Sequence, residues 1–72
     1  MLVTGIVKFF NDTKAFGFIR RQDGGGDVFV HRTGLKPPLR LLMPDQVVEF
    51  KVEQTPKGLR AVNVEVIAAP RA

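Results

Sequence analysis

Cysteine, tryptophan and tyrosine are all absent from this chain. Without thiols there are no disulfide staples and no thiolate metal sites, a pattern compatible with a reducing compartment. Without Trp or Tyr no indole N–H or phenol O–H can bond a partner, so the aromatic character rests on six Phe. Long apolar runs are missing too: none approaches the ~18 residues of a membrane-spanning helix, and no membrane partner is expected. The opening MLVTGIVKFF lacks a basic start followed by a long apolar stretch. A secretory signal is therefore not expected, and the default location is cytoplasmic. A single His and no close carboxylate pair leave little for acid–base catalysis. Asp23 and Asp27 flank Gly24-Gly25-Gly26, but a calcium-type loop needs more oxygen ligands, and no helix follows to make this a phosphate-binding loop. No enzyme activity, metal, cofactor or small-molecule substrate is expected.

At 72 residues the chain has room for one domain, expected to span 1–72, with a modest buried fraction and a thin stability margin. Such a domain has few large apolar residues to spare for its surface. Eleven Lys and Arg stand against seven Asp and Glu, a net charge of +4 and a pI near 10.1, which favours a polyanionic partner.

Five segments read as strands. GIVKFF (5–10) ends at the turn signal Asn11-Asp12, and AFGFIRR (15–21) ends at Gln22-Asp23-Gly24-Gly25-Gly26. DVFVH (27–31) alternates, with Val28 and Val30 on one side and Phe29 and His31 on the other. QVVEFKVE (46–53) and LRAVNVEVI (59–67) flank a turn at Thr55-Pro56-Lys57-Gly58, with Val48, Phe50 and Val52, and Val62, Val64 and Val66, as inner rows. Pro37-Pro38 breaks regular structure, and Leu39-Arg40-Leu41-Leu42-Met43 has room for one helical turn before Pro44. The chain reads as one small all-β barrel or sandwich.

Val7, Ile19, Val28, Val30, Val48, Phe50, Val62, Val64 and Val66 suffice to fill such a barrel. If Ile19 points inward, its neighbour Phe18 points outward, and Phe16 with it. Phe29 and His31 turn outward by the same rule, and Phe9 can join them, with Lys8, Lys14, Arg20 and Arg32 close in sequence. Flat rings among cations suit single-stranded nucleic acid: bases stack on rings at ~1–3 kcal/mol each while Lys and Arg neutralise phosphates. Gly17 would leave room between the rings for a base or a backbone. A register slip of one residue would bury these Phe and expose the Val rows instead, and alternation alone leaves both registers open.

Three segments carry a resemblance to the cold-shock domain family: Gly5-x-Val7-Lys8-Phe9-Phe10-Asn11, Lys14-Ala15-Phe16-Gly17-Phe18-Ile19 and Asp27-Val28-Phe29-Val30-His31. The last two match the family's two RNA-binding motifs. Gln46-x-Val48-x-Phe50 and Lys57-Gly58-x-x-Ala61-x-Asn63-Val64 continue the match downstream. The resemblance implies a five-stranded antiparallel OB-fold barrel that binds single-stranded RNA and single-stranded DNA, often as an RNA chaperone. Carried over by position, it places Phe9, Phe16, Phe18, Phe29 and His31 on a stacking surface flanked by Lys8, Asn11, Lys14 and Asp27. The expected state is a monomer, with the Pro37-Pro38 loop a place where a hinge would permit strand exchange into a dimer.

Several residues depart from the family pattern. Phe9 stands where Trp is usual, Ala15 where Gly is usual, and Arg32 where another aromatic often follows the His. Pro37-Pro38-Leu39-Arg40 replaces a loop that normally carries an exposed aromatic, with Leu39 nearest the missing ring. Leu59-Arg60 replaces Pro-Gln. Stacking area is lost and charge gained, so binding is expected to lean on phosphate contacts, with Arg32, Leu39 and Arg60 as added candidate contacts. A positive φ at Ala15 would cost about 1 kcal/mol. The main rival function is a barrel that docks an apolar or Pro-rich peptide on the same rings. Partners retained in a pull-down after nuclease treatment would favour that rival.

Overall fold

Alternation of β-branched and polar residues gives five strands in the computed structural model, which describes residues 2–68. They are β1 (Leu2–Asn11), β2 (Phe16–Arg21), β3 (Asp27–His31), β4 (Val47–Thr55) and β5 (Gly58–Ala68), with a short 3₁₀ turn at Arg32–Gly34. The strands close into a barrel in the order β1-β2-β3-β5-β4, consistent with an OB-fold. Of the five pairings among the described residues, β1–β2, β2–β3, β1–β4 and β4–β5 are antiparallel, and the β3–β5 pair that seals the barrel is parallel. The barrel is therefore mixed rather than purely antiparallel. β3 and β5 are not consecutive, so no hairpin obliges them to run in opposite senses.

The interior holds Val7, Ile19, Val28, Val30, Val48, Phe50 and Val64, each at most 1 % exposed, with Leu35, Leu42 and Ala61 beside them. Ile19 inward is the observation that fixes the register: Phe16 and Phe18 face out. The expected inner row of β5 holds at Val64 but not at Val62, which is half-buried, as is Val66. Ala61 takes the inner place instead. The cause is a bulge: Glu65 pairs with Glu49 and Val62 with Lys51, so β5 carries one more residue than β4 between those pairs. Asn63 absorbs it with φ 53°, a left-handed conformation that Asn tolerates better than most residues.

Leu39–Met43 forms no helical turn. Leu42 is drawn into the core, 2 % exposed, and the chain beyond it bonds to β1: Asp45 N–H donates to Val7 O at 2.8 Å and Val7 N–H to Gln46 O at 3.0 Å. Long-range packing of one leucine outweighs a weak local propensity.

Candidate nucleic-acid interface

A second bulge builds the exposed face. In β1, Val7 pairs with Ile19 and Phe9 with Phe18, so Lys8 is the extra residue. Strict alternation would send Phe9 inward with Val7. The bulge at Lys8 turns Phe9 outward, 43 % exposed, and lets Phe10 pack against the core. Gly17 is what permits the crossing. A Cβ there would lie 2.2 Å from Phe9 O and 2.8 Å from Phe10 Cα, so the backbone that approaches Gly17 belongs to β1, inside the barrel. The expectation that Gly17 makes space for a base is corrected accordingly: its residue is buried.

Cross-strand register then sets the outward side chains in rows. Phe9, Phe18 and Phe29 are Cα neighbours across β1, β2 and β3, and Arg60 of β5 continues the row beyond Phe29. Asn11, Phe16 and His31 form the next row, and Ile6, Arg20 and Asp27 the one on the other side. The four rings touch: Phe9 and Phe18 centroids are 5.6 Å apart, Phe16 and Phe29 stack at 5.8 Å, and Phe18 meets Phe29 edge-on at 5.9 Å. Phe9 and Phe29, 43 % and 36 % exposed, leave the most open ring surface, while Phe16 and Phe18 are half-buried between their neighbours. Beyond Phe18 and Phe29 lies a groove of about 520 Å³, walled by Thr55, Pro56, Lys57, Leu59 and Arg60.

The polar residues around the rings have distinct roles. His31 Nδ1 accepts from Thr33 N–H at 3.2 Å and lies 3.0 Å from Thr33 Oγ1, which fixes the ring against the 3₁₀ turn and leaves Nε2 to carry the N–H of the neutral ring. Asn11 Oδ1 accepts from Lys14 N–H at 3.0 Å, so this side chain closes the β1–β2 turn. Ala15 follows with φ 63°, the positive value that the family's glycine implied, and its carbonyl accepts from Arg32 N–H at 2.8 Å. That bond ties the turn to the end of β3.

Two of the candidate cations are already partnered. Lys8 Nζ is 3.0 Å from Asp27 Oδ2, and Arg60 donates through Nε, at 2.8 Å, and Nη2 to Glu53 Oε1. Lys14, Arg20 and Arg32 have no carboxylate within ion-pair distance among the described residues, and all three are exposed. Leu39 does not join the rings. It is half-buried against the core and shares a separate groove with Arg32, Pro37, Pro38 and Arg40. Sequence reading did not single out Glu53, or the walls at Thr55, Pro56 and Lys57. Their place depends on which residues of β4 and β5 stand opposite one another, and only Thr55-Pro56-Lys57-Gly58 as a turn between two strands pointed that way.

Comparison with known proteins agrees with this geometry. Residues 3–67 match the family model described as the 'Cold-shock' DNA-binding domain. The chain is 54 % identical over 63 residues to a cold shock-like protein CspJ of Salmonella typhimurium, covering 86 % of this chain and 90 % of that one. It is 49 % identical over 67 residues to a cold shock-like protein CspA of Stigmatella aurantiaca, covering 92 % and 98 %. It is 50 % identical over 64 residues to a probable cold shock protein A of Mycolicibacterium smegmatis, covering 88 % and 96 %. A barrel of this topology, and a match that runs through all five strands, place the chain in the cold-shock domain family.

Proposed function

We propose that this chain binds single-stranded RNA and single-stranded DNA on the Phe9, Phe16, Phe18, Phe29 and His31 face, and acts as an RNA chaperone or regulator that melts RNA secondary structure in the cytoplasm. The observation that carries this reading is the row Phe9–Phe18–Phe29, three adjacent rings on the outside of a barrel that already has a full core. Exposed contiguous aromatic surface on so small a protein is costly in solubility and marks a contact surface. Unpaired bases present the flat faces that such rings accept, whereas duplex bases hide them in the stack.

Phosphates would be met by Lys14, Arg20 and Arg32, three cations with no carboxylate partner among the described residues, with Lys8 and Asn11 at the β1 edge and Asp27 available to accept from a base amino group. The protein acts as a monomer of one domain, without catalysis, cofactor or small-molecule substrate. Three phosphates engaged at ~0.7 each give a slope of log K against log salt of about −2. The test is titration of a labelled U-rich or T-rich oligonucleotide, single-stranded against duplex, at several salt concentrations. Single-strand binding with that slope is expected. Equal affinity for the duplex, or a flat salt dependence, would overturn the reading.

A further inference from the structure

Arg60 stands at a junction of three strands. Its Cα neighbours are Phe29 on β3 and Glu53 on β4, so it is both the last member of the outward Phe row and the cross-strand partner of a carboxylate. Its Nε and Nη2 both donate to Glu53 Oε1, and the two side chains are 47 % and 49 % exposed. It also walls the groove next to Phe18 and Phe29. The guanidinium best placed to meet a phosphate at that end of the rings is thus neutralised by Glu53 in the free protein.

We infer that Glu53 is an affinity-setting residue of the proposed nucleic-acid site: it competes with the phosphate backbone for Arg60. The inference rests on the single-strand-binding reading above. A phosphate arriving beside Phe29 meets Arg60 as a neutral pair, with Lys57 in the same groove wall outside any ion pair among the described residues. To gain the charge-assisted contact it must displace a carboxylate, which then stays near it as a like charge. In water the exchange of carboxylate for phosphate is close to balanced, because an exposed pair of this kind is weak and screened. Arg60 therefore adds little to binding while Glu53 is present, and its full charge only when Glu53 is removed. The same pair limits how far the exchange of Pro-Gln for Leu59-Arg60 raises the positive charge of the face.

The test is a double-mutant cycle of Glu53→Gln, Arg60→Gln and the two together, each titrated with labelled oligouridylate across a salt series. Glu53→Gln is expected to tighten binding by up to about fivefold at low salt, and to steepen the salt slope by about 0.7, one more phosphate neutralised. Arg60→Gln alone is expected to change affinity less than about twofold, and the double variant to lose the gain. Glu53→Thr, with a residue well suited to a strand, gives a second route to the same result. A gain that persists in the Arg60→Gln background is a general charge effect and overturns the inference, as does no gain at all. Absence of single-strand binding by the unaltered protein would instead sink the function on which the inference rests.

Discussion

Phe29 and Phe50 are one residue type in two environments, and truncating each to alanine separates binding from folding. Phe50 is fully enclosed, so Phe50→Ala removes a whole buried ring at ~3–5 kcal/mol. A domain of 72 residues has a total stability of about 4–11 kcal/mol, so this change consumes much of it. The midpoint should fall by about 12–40 °C, at ~4–8 °C per kcal/mol. Phe29 is 36 % exposed, and its ring packs against those of Phe16 and Phe18 at 5.8 and 5.9 Å. Losing two such ring pairs costs about 1–3 kcal/mol of stability, or about 4–24 °C. Binding should fall as well: one stacked base is worth ~1–3 kcal/mol, a fall in affinity of about 5-fold to 150-fold. Thermal denaturation by circular dichroism reads the first quantity, and polarisation of a labelled single strand, at a temperature where both variants are folded, reads the second. The reasoning fails if Phe29→Ala unfolds the protein as readily as Phe50→Ala does, or if it leaves binding unchanged.

Gly17→Ala should destabilise the barrel by at least about 1–3 kcal/mol, because the new methyl would meet β1 backbone rather than a flexible side chain. Urea unfolding would show it, and a stable, wild-type-like variant would disprove the close approach. Asp23 is bonded by Arg21 through both carboxylate oxygens, at 3.0 and 2.6 Å, and accepts from Gly25 N–H; these contacts hold its carboxyl below the usual range. Their contribution to the β2–β3 turn is present above the ordinary carboxylate pKa and is lost as pH falls through the lowered folded value. NMR titration of the Gly25 amide should follow that depressed pKa, and Asp23→Asn should abolish the titration; an Asp23 midpoint at the ordinary value would refute the contact.

The strands were legible because alternation around Ile19, Val28 and Val30 is unbroken, but alternation left the inward face of β2 and β3 open, and only the resemblance to the cold-shock domain family pointed to the Val side. The same logic fails wherever a strand carries an extra residue. Phe9 faces out only because Lys8 is bulged, and Val62 leaves the core only because Asn63 is. Neither Lys8 nor its neighbours carry a local signal of this, since the bulge is set by what the partner strand brings opposite. Asn63 is a weak hint at most, being tolerant of positive φ. The Glu53–Arg60 pair is illegible for a similar reason: seven positions apart in sequence, the two meet only through the exact count of residues around the β4–β5 turn. Ala15 is a different case: the family's usual glycine raised the question of a positive φ that the residue type argues against, and the backbone does adopt it, at φ 63°.

The spacing of the rings sets the terms of any exchange with a nucleic acid. Neighbouring centroids are 5.6 to 6.4 Å apart, fixed by strand separation and pleat rather than by the rings themselves. Bases in a regular stack step by about 3.4 Å. A strand seated one base to a ring must therefore stretch by more than half, giving up base-on-base stacking, which in duplex DNA is worth about 1.4 kcal/mol per base-pair step. What it receives, ~1–3 kcal/mol per ring, is of the same size. The face works as a lattice of mismatched pitch. In the proposed function it would exchange the stack of the nucleic acid for its own at little net cost or gain, so that a bound strand would be held open yet leave readily.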